Sequence, residues 1–405
     1  MELLSPAGGM GQLDTALRFG ADAVYGGLNE YGLRAGAANF TADQLVEAVK
    51  KTHEANAKFY LTLNILPYDD ELPGLVRAAK EALQIGVDAA IVSDLGAIAC
   101  LRREAPALPI HVSTQANVMN APFARLLCGM GAKRIVLARE LNLDRIKAIR
   151  DSLPDTVQLE AFVHGAMCMA YSGRCMLSDH MTGRASNRGQ CAQPCRWHYQ
   201  VVEEKRPGEI IDVSVDERGT SLFSAFDLCM LGHLPEMADA GIASLKIEGR
   251  MKTAYYVASV TACYRKALDI LESEGEDAYR AALPGLIASL QKASHRAGNT
   301  GFYFGAPTPA AGADGLTQTM EYVADVLDWR DGEARIRLKN RFFVGDTLEA
   351  LTPSGERAFP VASIRDAETG ESLSTLSVAG REYFIACPGP LACGDFLRGP
   401  NRNHQ

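Results

Sequence analysis

The sequence predicts an α/β protein: a (β/α)8 barrel of the TIM type with a cysteine-rich insertion after strand seven, followed by a small all-β domain. Three observations lead there. One phrase, a helix end, a glycine and a short apolar strand, recurs along the first part of the chain. Helical spacing fills the gaps between these strands. After residue 281 the texture changes to short alternating segments separated by turn residues.

The recurring phrase reads Phe19-Gly20-Ala21-Asp22-Ala23-Val24-Tyr25, and returns around Gly86, Gly131 and Gly241. Glycine suits the position that ends a helix in a left-handed turn. The strands that follow are apolar on both faces, as buried parallel strands must be. Candidate strands fall at 2–5, 22–26, 58–63, 89–93, 109–113, 134–138, 157–163 and 243–248. Leu72, Leu75, Val76, Ala79 and Leu83 trace one face of a helix between two of them. An open, doubly wound sheet is the other arrangement this alternation allows. The absence of a G-x-G-x-x-G after the first strand counts against it.

On this reading the barrel occupies 1–280, with the insertion at 164–228; a helix and linker occupy 281–320 and a small β-barrel domain 321–405. Gly305-Ala306-Pro307-Thr308-Pro309 reads as linker, and Asp331-Gly332 as a hairpin turn. Period-two spacing puts Arg335, Arg337, Lys339 and Arg341 on one strand face, either a solvated surface or a contact for RNA phosphates.

Bulk properties narrow the function classes. The net charge of −8 does not mark a nucleic-acid binder, although a local basic patch would suffice for one. No apolar run reaches the roughly 18 residues of a membrane span. The opening Met1-Glu2-Leu3-Leu4-Ser5 lacks the basic and apolar regions of a secretory signal, so a cytoplasmic location is expected. In that compartment the 10 cysteines should not form a disulfide framework.

A barrel carries its chemistry at the C-terminal ends of its strands. Those ends hold Tyr25, Asn64, Gln115, Arg139-Glu140, His164 and Glu248-Gly249-Arg250, with Lys246 just before. The cysteines Cys168, Cys175, Cys191 and Cys195 follow the seventh strand, with Cys229 beyond them. Thiolates in such a run suit zinc or an iron–sulfur cluster. Paired C-x2-C knuckles are missing, which favours a cluster wrapped by a loop over zinc; free thiols are the remaining alternative. Cys168, Cys175 and Cys191 are common to any arrangement, and either Cys229 or Cys195 completes it.

The stretch from Glu160-Ala161-Phe162-Val163-His164-Gly165 through Cys168 and Arg174-Cys175-Met176 resembles the signature of the collagenase-like peptidase family (peptidase family U-thirty-two). Asn187-Arg188-Gly189-Gln190-Cys191, Leu245-Lys246-Ile247-Glu248-Gly249-Arg250, Leu4-Ser5-Pro6-Ala7-Gly8 and the segment from Arg34-Ala35 to Asn39-Phe40 are similar to that family too. Within it, the chain resembles the bacterial tRNA hydroxylation proteins. The resemblance implies a 4Fe–4S cluster on these cysteines and O2-independent, prephenate-dependent formation of 5-hydroxyuridine at the tRNA wobble position. Related members act on ribosomal RNA or on quinone precursors, and a paralogous partner subunit is compatible with the family.

Under this reading His164 is a proton donor or acceptor, and Arg139, Lys246 and Arg250 pair with a dicarboxylate. Glu248 completes the catalytic candidates; Tyr25, Asn64 and Gln115 complete the binding candidates. Tyr25, Tyr171 and Trp197 are candidates to stack a flipped uridine. The plainer expectation is that Lys246 and Arg250 form salt bridges with Glu140 and Glu248. Proteolysis is a competing activity, although neither G-x-S-x-G nor H-E-x-x-H occurs. A non-enzymatic scaffold is a third class.

Overall fold

A computed structural model gives the architecture. It describes residues 1–34, 36–168, 171, 175–197, 227–296, 298–305 and 318–402, plus four two-residue strand segments between 201 and 220. Seven parallel strands succeed one another: β1 Glu2–Pro6, β2 Ala23–Gly27, β3 Lys58–Leu63, β4 Ala89–Val92, β5 Ile110–Val112, β6 Ala132–Val136 and β7 Gln158–Ala166. After the insertion come β8, Asp227–Cys229, and β9, Ile242–Ile247. Strand β9 pairs in parallel with both β1 and β7 and closes the eight-stranded barrel. The expected TIM-type barrel is therefore present, and each observed strand overlaps its expected range. The αL glycine geometry follows the reading as well: Gly86 has φ 95° and Gly131 φ 91°.

Strand β8 was not anticipated. It runs antiparallel to the extended end of β7, with Asp227 opposite Ala166 and Cys229 opposite His164. The insertion thus leaves and rejoins the barrel at adjacent points. Its described part holds a helix, Leu177–Thr182, two single turns, Ser186–Arg188 and Pro194–Arg196, and the four two-residue strand segments.

Two helices, Ala254–Glu274 and Glu276–Leu290, follow the barrel. The helix expected within 281–320 therefore starts earlier, at Glu276. Most of the expected linker, 306–317, lies outside the described residues. No helix among the described residues is long and apolar enough to cross a membrane.

The C-terminal unit contains an eight-stranded antiparallel sheet. Asp331 (φ 50°) and Gly332 (φ 86°) make the tight turn between Met320–Arg330 and Glu333–Leu338, as their dipeptide predicts. The unit packs on the barrel's flank, where Tyr255 stacks on Tyr322 with ring centroids 4.8 Å apart. Fully buried Arg398 is held there by Glu349 and Glu356, and Lys292 from the barrel side binds the same two carboxylates. Three of the four basic residues are already partnered: Arg335 and Arg337 bind Glu382, and Lys339 binds Asp325. The strand ends at Leu338, so Lys339 and Arg341 lie beyond it and not on its face as expected. That arrangement supports the solvated-face reading over a ready phosphate surface.

Candidate active site at the barrel mouth

The C-terminal ends of the strands surround a cavity of about 120 Å3. Of the sequence candidates, Tyr25, Asn64, Gln115, Arg139, Cys168, Cys175, Cys191, Lys246, Glu248 and Arg250 all line it. Their convergence follows from barrel geometry, because residues far apart in the chain end neighbouring strands.

Electrostatics distinguish this cavity. Arg34, Arg139, Lys246 and Arg250 face Glu248 and, deeper in the barrel, Glu160. Glu248 accepts from Arg139 at 2.8 Å and lies 3.8 Å from Arg34. Burial pushes its carboxyl up, but the two guanidiniums and Lys246 outweigh this and hold it at about 2. Lys246 does not pair with Glu140 or Glu248, as the plainer expectation had it. Its ammonium donates to Glu160 at 2.8 Å and sits 4.3 Å from the centre of the Tyr25 ring.

Arg250 has no carboxylate among its hydrogen-bond acceptors. It donates to the Leu33 carbonyl (2.7 Å), the Thr62 hydroxyl (3.1 Å) and the Asn39 side-chain carbonyl (2.5 Å). Its Nε is buried without a partner, and burial pulls the guanidinium down to about 10. A buried cation held only by neutral groups is suited to an incoming anion.

Arg34 is the main residue the sequence reading missed as a site candidate. It sits in the loop after β2 with φ 91°, a strained conformation for a side-chain-bearing residue. The only signal was its place in the family-like segment. Asn39, also at positive φ (52°), comes from the same loop and grips Arg250.

Cys168, Cys175 and Cys191 line the cavity, and two of them already accept backbone donors. The Leu177 N–H points at Cys175 Sγ (3.5 Å), and the Gln193 N–H at Cys191 Sγ (3.3 Å). Arg34 interacts electrostatically with Cys168 and Cys191. Backbone N–H groups directed at sulfur are the usual support of thiolate ligands, so the residues suit a thiolate-held group in kind. They do not form a closed coordination sphere: among the described residues no three Cys, His, Asp or Glu are grouped to hold a metal ion.

Two candidates lie elsewhere. His164 and Cys229 line a separate cavity, with Asp227, His233 and His295. The reason for His164 is a register irregularity: Lys246 pairs with Phe162 but Ile247 with His164, so the strand skips Val163 and its alternation breaks. Phe162 takes the mouth position instead. Burial lowers the His164 imidazole to about 4, which leaves it neutral at pH 7. Tyr25 is also committed: it is buried, and its hydroxyl donates to the Ile247 carbonyl, so it is not a free stacking platform. Tyr171 and Trp197, in contrast, are exposed.

The comparisons with known proteins bear on this geometry. The model for peptidase family U32 matches residues 8–312, and that for the family's C-terminal domain matches 318–398. The chain belongs to peptidase family U32. Among its relatives, the tRNA hydroxylation protein P of Escherichia coli is 34% identical, covering 96% of this chain and 94% of the relative. The tRNA hydroxylation protein P1 of Bacillus subtilis is 36% identical, covering 88% and 84%. The 23S rRNA 5-hydroxycytidine C2501 synthase of Escherichia coli is 39% identical, covering 77% of this chain and 46% of the relative.

The Glu248 cluster makes a pH prediction. Its folded-state pKa, about 2, lies below the ordinary 4.5, so its stabilisation is present above 4.5 and is lost as pH falls toward 2. The stability difference between wild type and Glu248→Gln, measured by urea unfolding, should be constant near neutrality and shrink across that window. A difference that stays constant down to about pH 3 would show that Arg34 and Arg139 do not hold the carboxylate.

Proposed function

We propose that this chain is an RNA-modifying hydroxylase, and that its reaction is the prephenate-dependent, O2-independent formation of 5-hydroxyuridine at the tRNA wobble position, in the cytoplasm. The observation that carries this reading is the meeting of three thiols with Arg34, Arg139, Lys246 and Arg250 at one barrel mouth. Relatives named for tRNA hydroxylation and for ribosomal 5-hydroxycytidine synthesis support the reaction class.

In this reading Cys168, Cys175 and Cys191 hold a 4Fe–4S cluster, with Cys229 or Cys195 as fourth ligand. When bound, such a cluster supplies electron transfer or Lewis acidity. Arg250 takes one carboxylate of the co-substrate because, unlike Arg34, Arg139 and Lys246, it forms no ion pair with a carboxylate among the described residues. Arg139 and Arg34 share Glu248 and can exchange it in part for a second carboxylate. Exposed Tyr171 and Trp197 of the insertion offer ring faces to an extruded base.

Nucleoside mass spectrometry of tRNA from a deletion strain tests the reading. Loss of 5-hydroxyuridine and its derivatives is expected. An unchanged profile in a strain without a redundant paralogue overturns it.

Proteolysis, the activity in the family's name, needs a nucleophile beside a base. Cys168 and His164 line different cavities, which argues against that pair. Gelatin cleavage by metal-free protein, abolished by Cys168→Ala, would restore the peptidase reading.

A further inference from the structure

The cavity that takes His164 has a volume of about 350 Å3, ample for a small heterocycle, and shares no lining residue with the mouth. Strand β8, the short strand Gly298–Asn299 paired with it, and the end of the Glu276–Leu290 helix wall it. Among the described residues, two polar atoms in its lining lack hydrogen-bond partners: His164 Nδ1 and Asp227 Oδ1. Both residues are more than nine-tenths buried, at 6% and 7% exposure. Asp227 Oδ2 is satisfied by the Arg296 backbone N–H at 3.1 Å. Its Oδ1 lies 3.8 Å from the Arg296 guanidinium, near enough to balance charge but too far for a hydrogen bond. A buried polar group left unmatched is costly, so two in one cavity mark a place where a ligand gains what the protein alone lacks.

We propose that this cavity binds a small neutral molecule presenting an N–H beside a carbonyl, a cyclic amide or imide of the uracil type. The Asp227 carboxylate oxygen accepts the ligand's N–H. The His164 ring nitrogen meets the adjacent polar edge. Leu228, Ile287 and Leu290 contact the flat faces. A further negative charge is disfavoured by Asp227, and a positive one by Arg296. The mouth, with its cations, selects for the opposite property. This inference rests on the cavity alone and not on the RNA reading, so uracil binding and tRNA hydroxylation can fail separately.

The test is titration of the full-length protein with uracil and with orotate, the same ring carrying a carboxylate, by ligand-observed NMR. Saturable uracil binding is expected, with orotate weaker by about tenfold or more. Gly232 lines the cavity, and a Cβ built there meets nothing within 4 Å, so Gly232→Leu adds bulk to the cavity wall from a position with room for its first carbon. That variant should lose uracil binding and keep its melting temperature, while Arg250→Met at the mouth should keep uracil binding. If Gly232→Leu folds poorly, His164→Phe serves instead. It keeps ring packing on Tyr256 and Tyr264 and removes the nitrogen, and about a tenfold loss is expected. No saturable uracil binding by wild type, equal binding by a correctly folded variant, or orotate as tight as uracil would each overturn the proposal.

Discussion

Cys168→Ser, Cys175→Ser and Cys191→Ser proteins, purified without oxygen, should each lose their iron and visible absorption and fail to restore hydroxylated uridine to a deletion strain. The wild type should carry about four iron atoms per chain. The physical basis is the placement of the three thiols on one cavity, two with backbone N–H groups directed at sulfur. Serine keeps the size of the side chain but is a poor ligand to iron. Cys100→Ser and Cys128→Ser, on outer helices of the barrel, should keep both iron and activity. Running Cys195→Ser and Cys229→Ser beside them assigns the fourth ligand: the one that shares the loss is the ligand. Colourless wild-type protein with stoichiometric zinc would sink the cluster.

The second large effect concerns stability. Glu160 is fully buried inside the barrel and bonds Lys246 at 2.8 Å and Arg134 at 3.1 Å. Burial pushes its carboxyl up, and the two cations overcome this and keep it below the ordinary value. Glu160→Leu strands Lys246 in the barrel interior, while Arg134 keeps Glu2 as its partner, and should cost about 3–5 kcal/mol in chemical denaturation. Glu160→Leu combined with Lys246→Met removes that stranded charge and should recover much of the loss. The double variant should nevertheless remain inactive, because Lys246 also lines the mouth. Recovered stability together with recovered activity would show that Lys246 is only structural.

The barrel was legible because each strand announces itself twice, by the glycine before it and by the apolar run within it. The mouth was legible once the barrel was, since strand ends are fixed by strand positions. What stayed hidden depends on closure in three dimensions. Glu160 sits inside an apolar run, and nothing local says that it meets Lys246 across the barrel. Arg34 enters from a loop through a left-handed backbone that residue type does not announce. His164 reads like Arg139, a polar residue at a strand end. A single skipped residue, Val163, sends it to another cavity. Strand β8 is three residues long, too short for periodicity to reveal.

The pairing of Ala166 with Asp227 has a consequence for how this protein can change. Because the insertion's two ends are clamped side by side, the barrel itself sets the distance its chain must close. Lengthening or replacing what lies between adds only a logarithmic entropic penalty, about 0.6 kcal/mol per doubling. Changes of length between 167 and 226 should therefore cost little in closure, whereas Arg188, bound to Glu71 and to the Leu66 carbonyl, ties the insertion to the loops of this particular barrel.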